Sequence, residues 1–249
     1  MAKSATLLMH KKELLEVLIE HHRTDQLCRI VYSSPCFRNY FYYRRCSMVA
    51  QDLHIHSVWS TGDSAVVPEQ NIPFIAAVDH ARIRGMSDHF DYLAGEQFEG
   101  YAESCRKYGF YTGTEVNGHD WVAEALGYPF DYYIYHCRNT AADYAGAETL
   151  LSSGKPVIIA HPFTMETNIS RVAPECLIEI NNRYIWRHRW QILLQPFVEK
   201  RRFIISSDAH QPNWLSQTVA RYVASEMGIT EELLFADRRP AGASVAAES

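Results

Sequence analysis

The chain has 249 residues, 47% hydrophobic and 21% charged, with a formal net charge of −5. That composition excludes disordered, collagen-like and fibrous classes, and the length allows a core that needs no disulfide staples. The charge is uneven: residues 1–50 hold eight Lys/Arg against four Asp/Glu, so the rest is acidic. An acidic body weighs against a general nucleic-acid surface, but not against an anionic substrate, because bound cations can reverse the local sign.

The six cysteines are scattered without a C-x-x-C pair, so neither a disulfide framework nor a zinc site on Cys28, Cys36 and Cys46 is expected. No apolar run approaches the roughly 18 residues of a membrane span, and the N-terminus lacks a signal-type stretch. A soluble, cytoplasmic protein with no membrane partner is expected.

Taken in order, the chain opens with helical spacing over 4–22, on Leu7, Leu8, Leu14, Leu15, Leu18 and Ile19. An aromatic and basic stretch, FRNYFYYRRC at 37–46, follows, and residues 1–50 are read as an N-terminal extension. From there strands and helices alternate. DLHIH (52–56) reads as a strand, 68–84 as a helix, IRGMSDH (83–89) as a strand and 95–108 as a helix. The strands GFYTGTEV (109–116) and FDYYIYH (130–136) precede a helix over 141–153. Next come the strands PVIIAH (156–161) and CLIEIN (176–181), a helix over 186–200, the strand RFIISSDAH (202–210) and a helix over 213–227. A tail over 237–249 has a disordered composition. The alternation implies parallel β/α units over residues 51–236.

The apolar strands end in His54 and His56, His89, Glu115, His136, His161, and Asp208 and His210. In a parallel β/α barrel the C-terminal strand ends form the active-site face. Imidazoles and carboxylates gathered there would be costly to desolvate without a cation, and the mixture suits Zn, Mn or Fe. In His54-x-His56 and Asp208-x-His210, alternate residues point to one side, so each pair can reach one ion.

With DLHIHS (52–57), SDH (87–89), GTEV (113–116), YIYH (133–136), IIAHP (158–162) and SSDAH (206–210) in this order, the sequence resembles the polymerase and histidinol phosphatase (PHP) superfamily. The resemblance implies an α/β fold, a distorted seven-stranded β/α barrel, holding two to three divalent transition-metal ions. It implies that His54 and His56 bind one ion with Glu115 and Asp208. Glu115 would bridge to a second ion on His136 and His161, and a third would take Asp63, His89 and His210. The implied reaction is attack of a metal-bound hydroxide on a phosphate ester, with Glu115, Asp208 and His210 as the catalytic groups. A small phosphorylated substrate is expected. A nucleotide phosphatase or exonuclease, and a non-catalytic metal-binding module, stand as alternatives.

Val78-Asp79-His80 also matches the second motif. Choosing His80 leaves too short a crossover after Asp63, so His89 is preferred and His80 is read as a helix-face residue. Asp52 and Asp88 precede ligand histidines, either supporting them or simply closing their strands. Arg138, Arg183 and Arg187 lie just past strand ends, either binding a substrate phosphate or sitting on surface loops. Tyr184, Trp186 and His188 share that segment and could stack on a ring or pack in the core.

Overall fold

A computed structural model describes residues 48–237. The expected helix over 4–22, the aromatic-basic stretch and the tail from 238 onward lie outside the described residues. Seven strands form: β1 (Val49–Asp52), β2 (Ala81–Met86), β3 (Tyr111–Val116), β4 (Tyr132–Tyr135), β5 (Val157–Ile159), β6 (Leu177–Asn181) and β7 (Phe203–Ser206). Each pairs in parallel with the next, in chain order. Past their ends the first and last strands also meet. Ile55 bridges Ala209, the His56 N–H donates to the Ala209 carbonyl at 2.9 Å, and the Asp208 N–H donates to that of His54 at 2.9 Å. The result is the nearly closed β/α barrel that the alternation implies.

Strand periodicity separates two apolar layers. Leu53, Tyr111, Tyr132, Ile134, Ile158, Leu177 and Ile204 fill the bore. Their neighbours, including Tyr133, Tyr135, Val157, Ile159, Ile178, Ile180, Phe203 and Ile205, face the outer core with the helices. Tyr132 crosses the bore, its hydroxyl donating to the Leu53 and Met86 carbonyls at 2.6 and 2.9 Å. Only glycine fits beneath its ring, at Gly85 and Gly113. The end where the strands begin is closed by residues 231–235, with Phe235 stacked on Tyr111 at 4.1 Å and Gln51 donating to Glu231 at 3.1 Å. The opposite end is polar.

The helices are α1 (Ile72–Val78), α2 (Phe90–Leu93), α3 (Gln97–Lys107), α4 (Val122–Ala125), α5 (Ala141–Leu151), α6 (Trp190–Leu194) and α7 (Thr218–Glu226). Helix α1 is shorter than the expected 68–84. It is capped by Asn71, whose Oδ1 accepts the Phe74 N–H at 3.0 Å, and stopped by Asp79 in the left-handed region (φ 50°). His80 is therefore not on a helix face. It sits in the link to β2, its carbonyl accepting the Val49 N–H and its Nε2 2.9 Å from Asp52 Oδ2. The expected helix over 186–200 is broken into a 3-10 turn at Ile185–Arg187, α6, and a second 3-10 turn at Gln195–Phe197. Pro196 explains the second break: it has no N–H to donate and its ring crowds the preceding turn. Likewise 213–227 resolves into a 3-10 turn at Pro212–Trp214 and α7. Among the described residues no helix is long and apolar enough to cross a membrane.

Candidate metal centre

The parallel pairing brings every strand's C-terminal end to one mouth, and the polar residues meet there. Beyond β1, His54 and His56 are both 0% exposed, with their Nε2 atoms 3.1 Å apart. Glu115, near the end of β3, lies under the cluster. Its Oε1 is 3.2 Å from His54 Nε2, 2.6 Å from His136 Nε2 and 3.5 Å from His161 Nε2. Its Oε2 is 3.3 Å from His56 Nε2 and 3.1 Å from His89 Nδ1. Asp208 Oδ1 is 3.7 Å from the Nε2 of both His54 and His56. Just past β5 and β7, His161 (φ 25°) and Asp208 (φ 54°) hold left-handed backbone, a strained conformation for a side chain-bearing residue that turns each into the mouth.

Three groups of donor atoms converge within 4.8 Å: His54, His56 and Asp208; Glu115, His136 and His161; and His56, His89 and His210. Asp63 joins the last, its Oδ2 2.9 Å from His210 Nε2 and 3.4 Å from His89 Nε2. All nine candidate ligands thus lie in one cluster, His89 among them and His80 outside it. His56 stands between two groups, its ring centroid 4.1 Å from that of His210 and 4.6 Å from that of His89.

The donors fit a cation. Two zinc–nitrogen bonds of about 2.0–2.1 Å at a tetrahedral angle put the nitrogens roughly 3.3 Å apart. The Nε2 pairs of His54/His56 and of His136/His161 are each separated by 3.1 Å. Lone pairs facing at that distance repel unless a proton or an ion lies between them. His56 Nδ1 and His161 Nδ1 are buried without a hydrogen-bond partner. Burial alone would raise the Glu115 carboxyl, but the His136, His54 and His89 imidazoles hold it well below the usual carboxylate range. Burial likewise works against charge on His54, yet Glu179, Asp208 and Glu115 raise it well above the ordinary imidazole value. His89 is raised to about 9, Glu115 and Asp63 outweighing burial. His56 goes the other way, pushed well down by burial and by His210 and His89.

Several supporting residues escape a reading based on strand ends. Glu179, mid-strand in β6, sets Oε1 2.7 Å from His54 Nδ1, while its Oε2 accepts the His161 N–H at 2.6 Å. Asn181 donates to Glu179 at 2.9 Å and to Asp208 at 3.0 Å. A buried carboxylate in the apolar run CLIEIN is the signal that could have found them. Asn117 Oδ1 stands 3.2 Å from His136 Nδ1. Asp88 and Asp52 do not contact the candidate ligand imidazoles. Asp88 accepts the backbone N–H groups of Ser57 and Ser60 at 2.7 and 3.1 Å and their hydroxyls at 2.8 and 2.7 Å, tying down the loop that leads to Asp63. Asp52 accepts the Ser207 N–H at 3.0 Å and faces His80.

Of the three candidate arginines, Arg183 reaches the cluster. Its Nη1 is 3.2 Å from both His210 ring nitrogens and 3.5 Å from Asp208 Oδ1, and its guanidinium lies 4.9 and 5.0 Å from the Tyr184 and Trp214 rings. Arg138 instead donates to Asn117 at 3.0 Å, and Arg187 lies over Tyr184 and Trp186. Trp186 is exposed, and His188 pairs with Thr164 at 3.2 Å. A cleft of about 360 Å³ opens above the cluster, with Arg183, Tyr184 and Asp63 on its walls and Glu115, His136 and His161 at its floor. Cys137 belongs to the outer core, away from this cleft. Neither a scan of protein-family models nor a search of curated proteins finds a match to this chain.

Proposed function

We propose that this chain is a metal-dependent phosphoesterase of the PHP type, acting on a small phosphomonoester. The observation that carries the reading is the placement of Glu115, one carboxylate reaching imidazoles from several strand ends. His54, His56 and Asp208 would hold a first ion and His136 and His161 a second, with Glu115 shared. Asp63, His89 and His210 would hold a third. The donor set favours Zn, Mn or Fe. Such ions lower the pKa of water and neutralise phosphoryl charge.

The residues supply the rest. Glu115 sets the spacing of the first two sites. Asp208 and His210 lie beside Arg183, whose planar fork suits two phosphoryl oxygens. Tyr184 and Trp214 flank that guanidinium and limit its rotation. A cleft of about 360 Å³ fits a phosphate with a small organic group.

The test begins with elemental analysis of the full chain purified without chelator, expecting two to three ions. Phosphate release from a panel of monoesters, diesters and oligonucleotides in Mn then follows, with monoesters expected to lead. Fewer than one ion per chain, with no recovery in Mn or Zn, overturns the metal reading. Full loading without phosphate release overturns the enzyme reading in favour of a metal-binding module.

A further inference from the structure

Glu179 is a fully enclosed carboxylate that the proposed reaction does not use. We infer that Glu179 is a positioning residue that holds His54 in the one tautomer able to ligate the first ion. The consequence for metal binding rests on the reading above; the effect on His54 does not.

Glu179 is 1% exposed and faces the bore, since its neighbours Ile178 and Ile180 face the outer core. An ionised carboxylate only accepts hydrogen bonds. Its Oε1, 2.7 Å from His54 Nδ1, therefore requires the proton on Nδ1. In the neutral ring that an ion requires, the Nε2 lone pair is then the free one, aimed at the space shared with His56 Nε2 (3.1 Å) and Glu115 Oε1 (3.2 Å). His54 is 0% exposed, so solvent cannot supply an alternative partner. Carboxylates behind metal-binding imidazoles commonly fix tautomer and orientation in this way.

The surroundings also dictate how an amide would sit. Glu179 Oε2 accepts two fixed donors, the His161 backbone N–H at 2.6 Å and Asn181 Nδ2 at 2.9 Å. Asn181 cannot flip without loss, because its Oδ1 accepts the Arg183 and Tyr184 N–H groups at 2.9 and 3.2 Å. In Glu179→Gln the carbonyl must take the Oε2 place, and the NH₂ must face His54 Nδ1. That nitrogen then has to accept, so the proton moves to Nε2 and blocks the ligand position. The substitution barely changes shape, yet it reverses the imidazole.

The experiment pairs zinc titration of the full chain against a competing chelator with ¹⁵N spectra of the histidine side chains. The His54 signal is identified by its loss in His54→Gln. Expected, at a pH high enough to leave the ring neutral, are an Nδ1–H His54 in the wild type, an Nε2–H His54 in Glu179→Gln, and zinc affinity about 10–100-fold weaker in that variant. Glu179→Asp, which keeps the anion, should retain the Nδ1–H form and bind zinc more tightly than the amide. An Nδ1–H His54 with wild-type zinc affinity in Glu179→Gln overturns the inference. Should Glu179→Gln not fold, Glu179→Asp decides: Nδ1–H supports the role and Nε2–H overturns it. A wild type that takes up no zinc sinks the metal reading instead, and the tautomer comparison still tests Glu179.

Discussion

Glu115 and Arg183 occupy opposite levels of the cleft and should fail differently. Glu115→Gln keeps the shape but removes the charge that two ions would share. Turnover should fall on the order of 10²–10³-fold, as when one preorganised charge-stabilising group is lost. Its ion content, read by elemental analysis, should drop as well. Near-wild-type turnover across a Mn titration would remove Glu115 from the bridging role. Arg183→Ala should raise KM more than it lowers kcat, because a phosphate contact made equally in ground and transition states is uniform binding. Arg187→Ala, whose guanidinium lies over Tyr184 and Trp186, should leave both constants unchanged; steady-state kinetics on the best monoester checks the pair. At this scale His54, His89, His136 and Asp208 were legible because each closes an apolar strand with a group that strands rarely end on. The carboxylate in the apolar run CLIEIN marks Glu179 as unusual, but within a strand only the curvature of the sheet reveals that it and Asn181 face the bore.

Helices and loops set how firmly these residues are held. The loop leading to Asp63 hangs on Ser60, whose hydroxyl donates to Asp88 and accepts the His89 N–H at 3.1 Å. Ser60→Ala cuts both ties. A stability loss of about 1–3 kcal/mol is expected in chemical denaturation, because buried polar groups lose a partner. The ion on Asp63, His89 and His210 should leave first under a chelator. Uniform loss of all ions would show that this loop does not act separately. In the barrel wall, Gly113→Ala forces a methyl into the Tyr132 ring and should cost about 1–3 kcal/mol or more in the same assay. Element type was readable from periodicity nearly throughout, but ends were not. Asp79 stops α1 early by adopting left-handed backbone, and Pro196 divides an apolar pattern that otherwise looks continuous.

For the whole molecule, ion binding and folding should be linked, because the candidate ligands at the ends of β1 to β5 and β7 meet only in the closed barrel. Ions that bind the folded chain stabilise it by about 2.7 kcal/mol at 100 times their dissociation constant, so chelation should lower Tm. The sign with pH follows from His89. Burial opposes its charge, but Glu115 and Asp63 raise it to about 9. A raised imidazole contributes stability that is fully present below its unfolded value of about 6.5 and lost as pH climbs through 9. An ion needs the neutral ring, so its affinity strengthens over the same range. The gap between zinc-loaded and chelated Tm should therefore widen from pH 6.5 to 9. A gap that narrows would contradict the linkage.

The order of apolar strands and intervening helices was enough to determine a parallel β/α architecture, and the residues at the strand ends were enough to mark its polar face. Those features are local: a strand's period and its last residue are written in consecutive positions. Only the tertiary structure decided that Arg183 and not Arg138 or Arg187 reaches the cluster, that Asp88 ties a loop instead of an imidazole, and that Glu179 backs His54. Each depends on distances between residues far apart in the chain, set by strand stagger and barrel closure, and neither quantity leaves a periodic trace in the sequence.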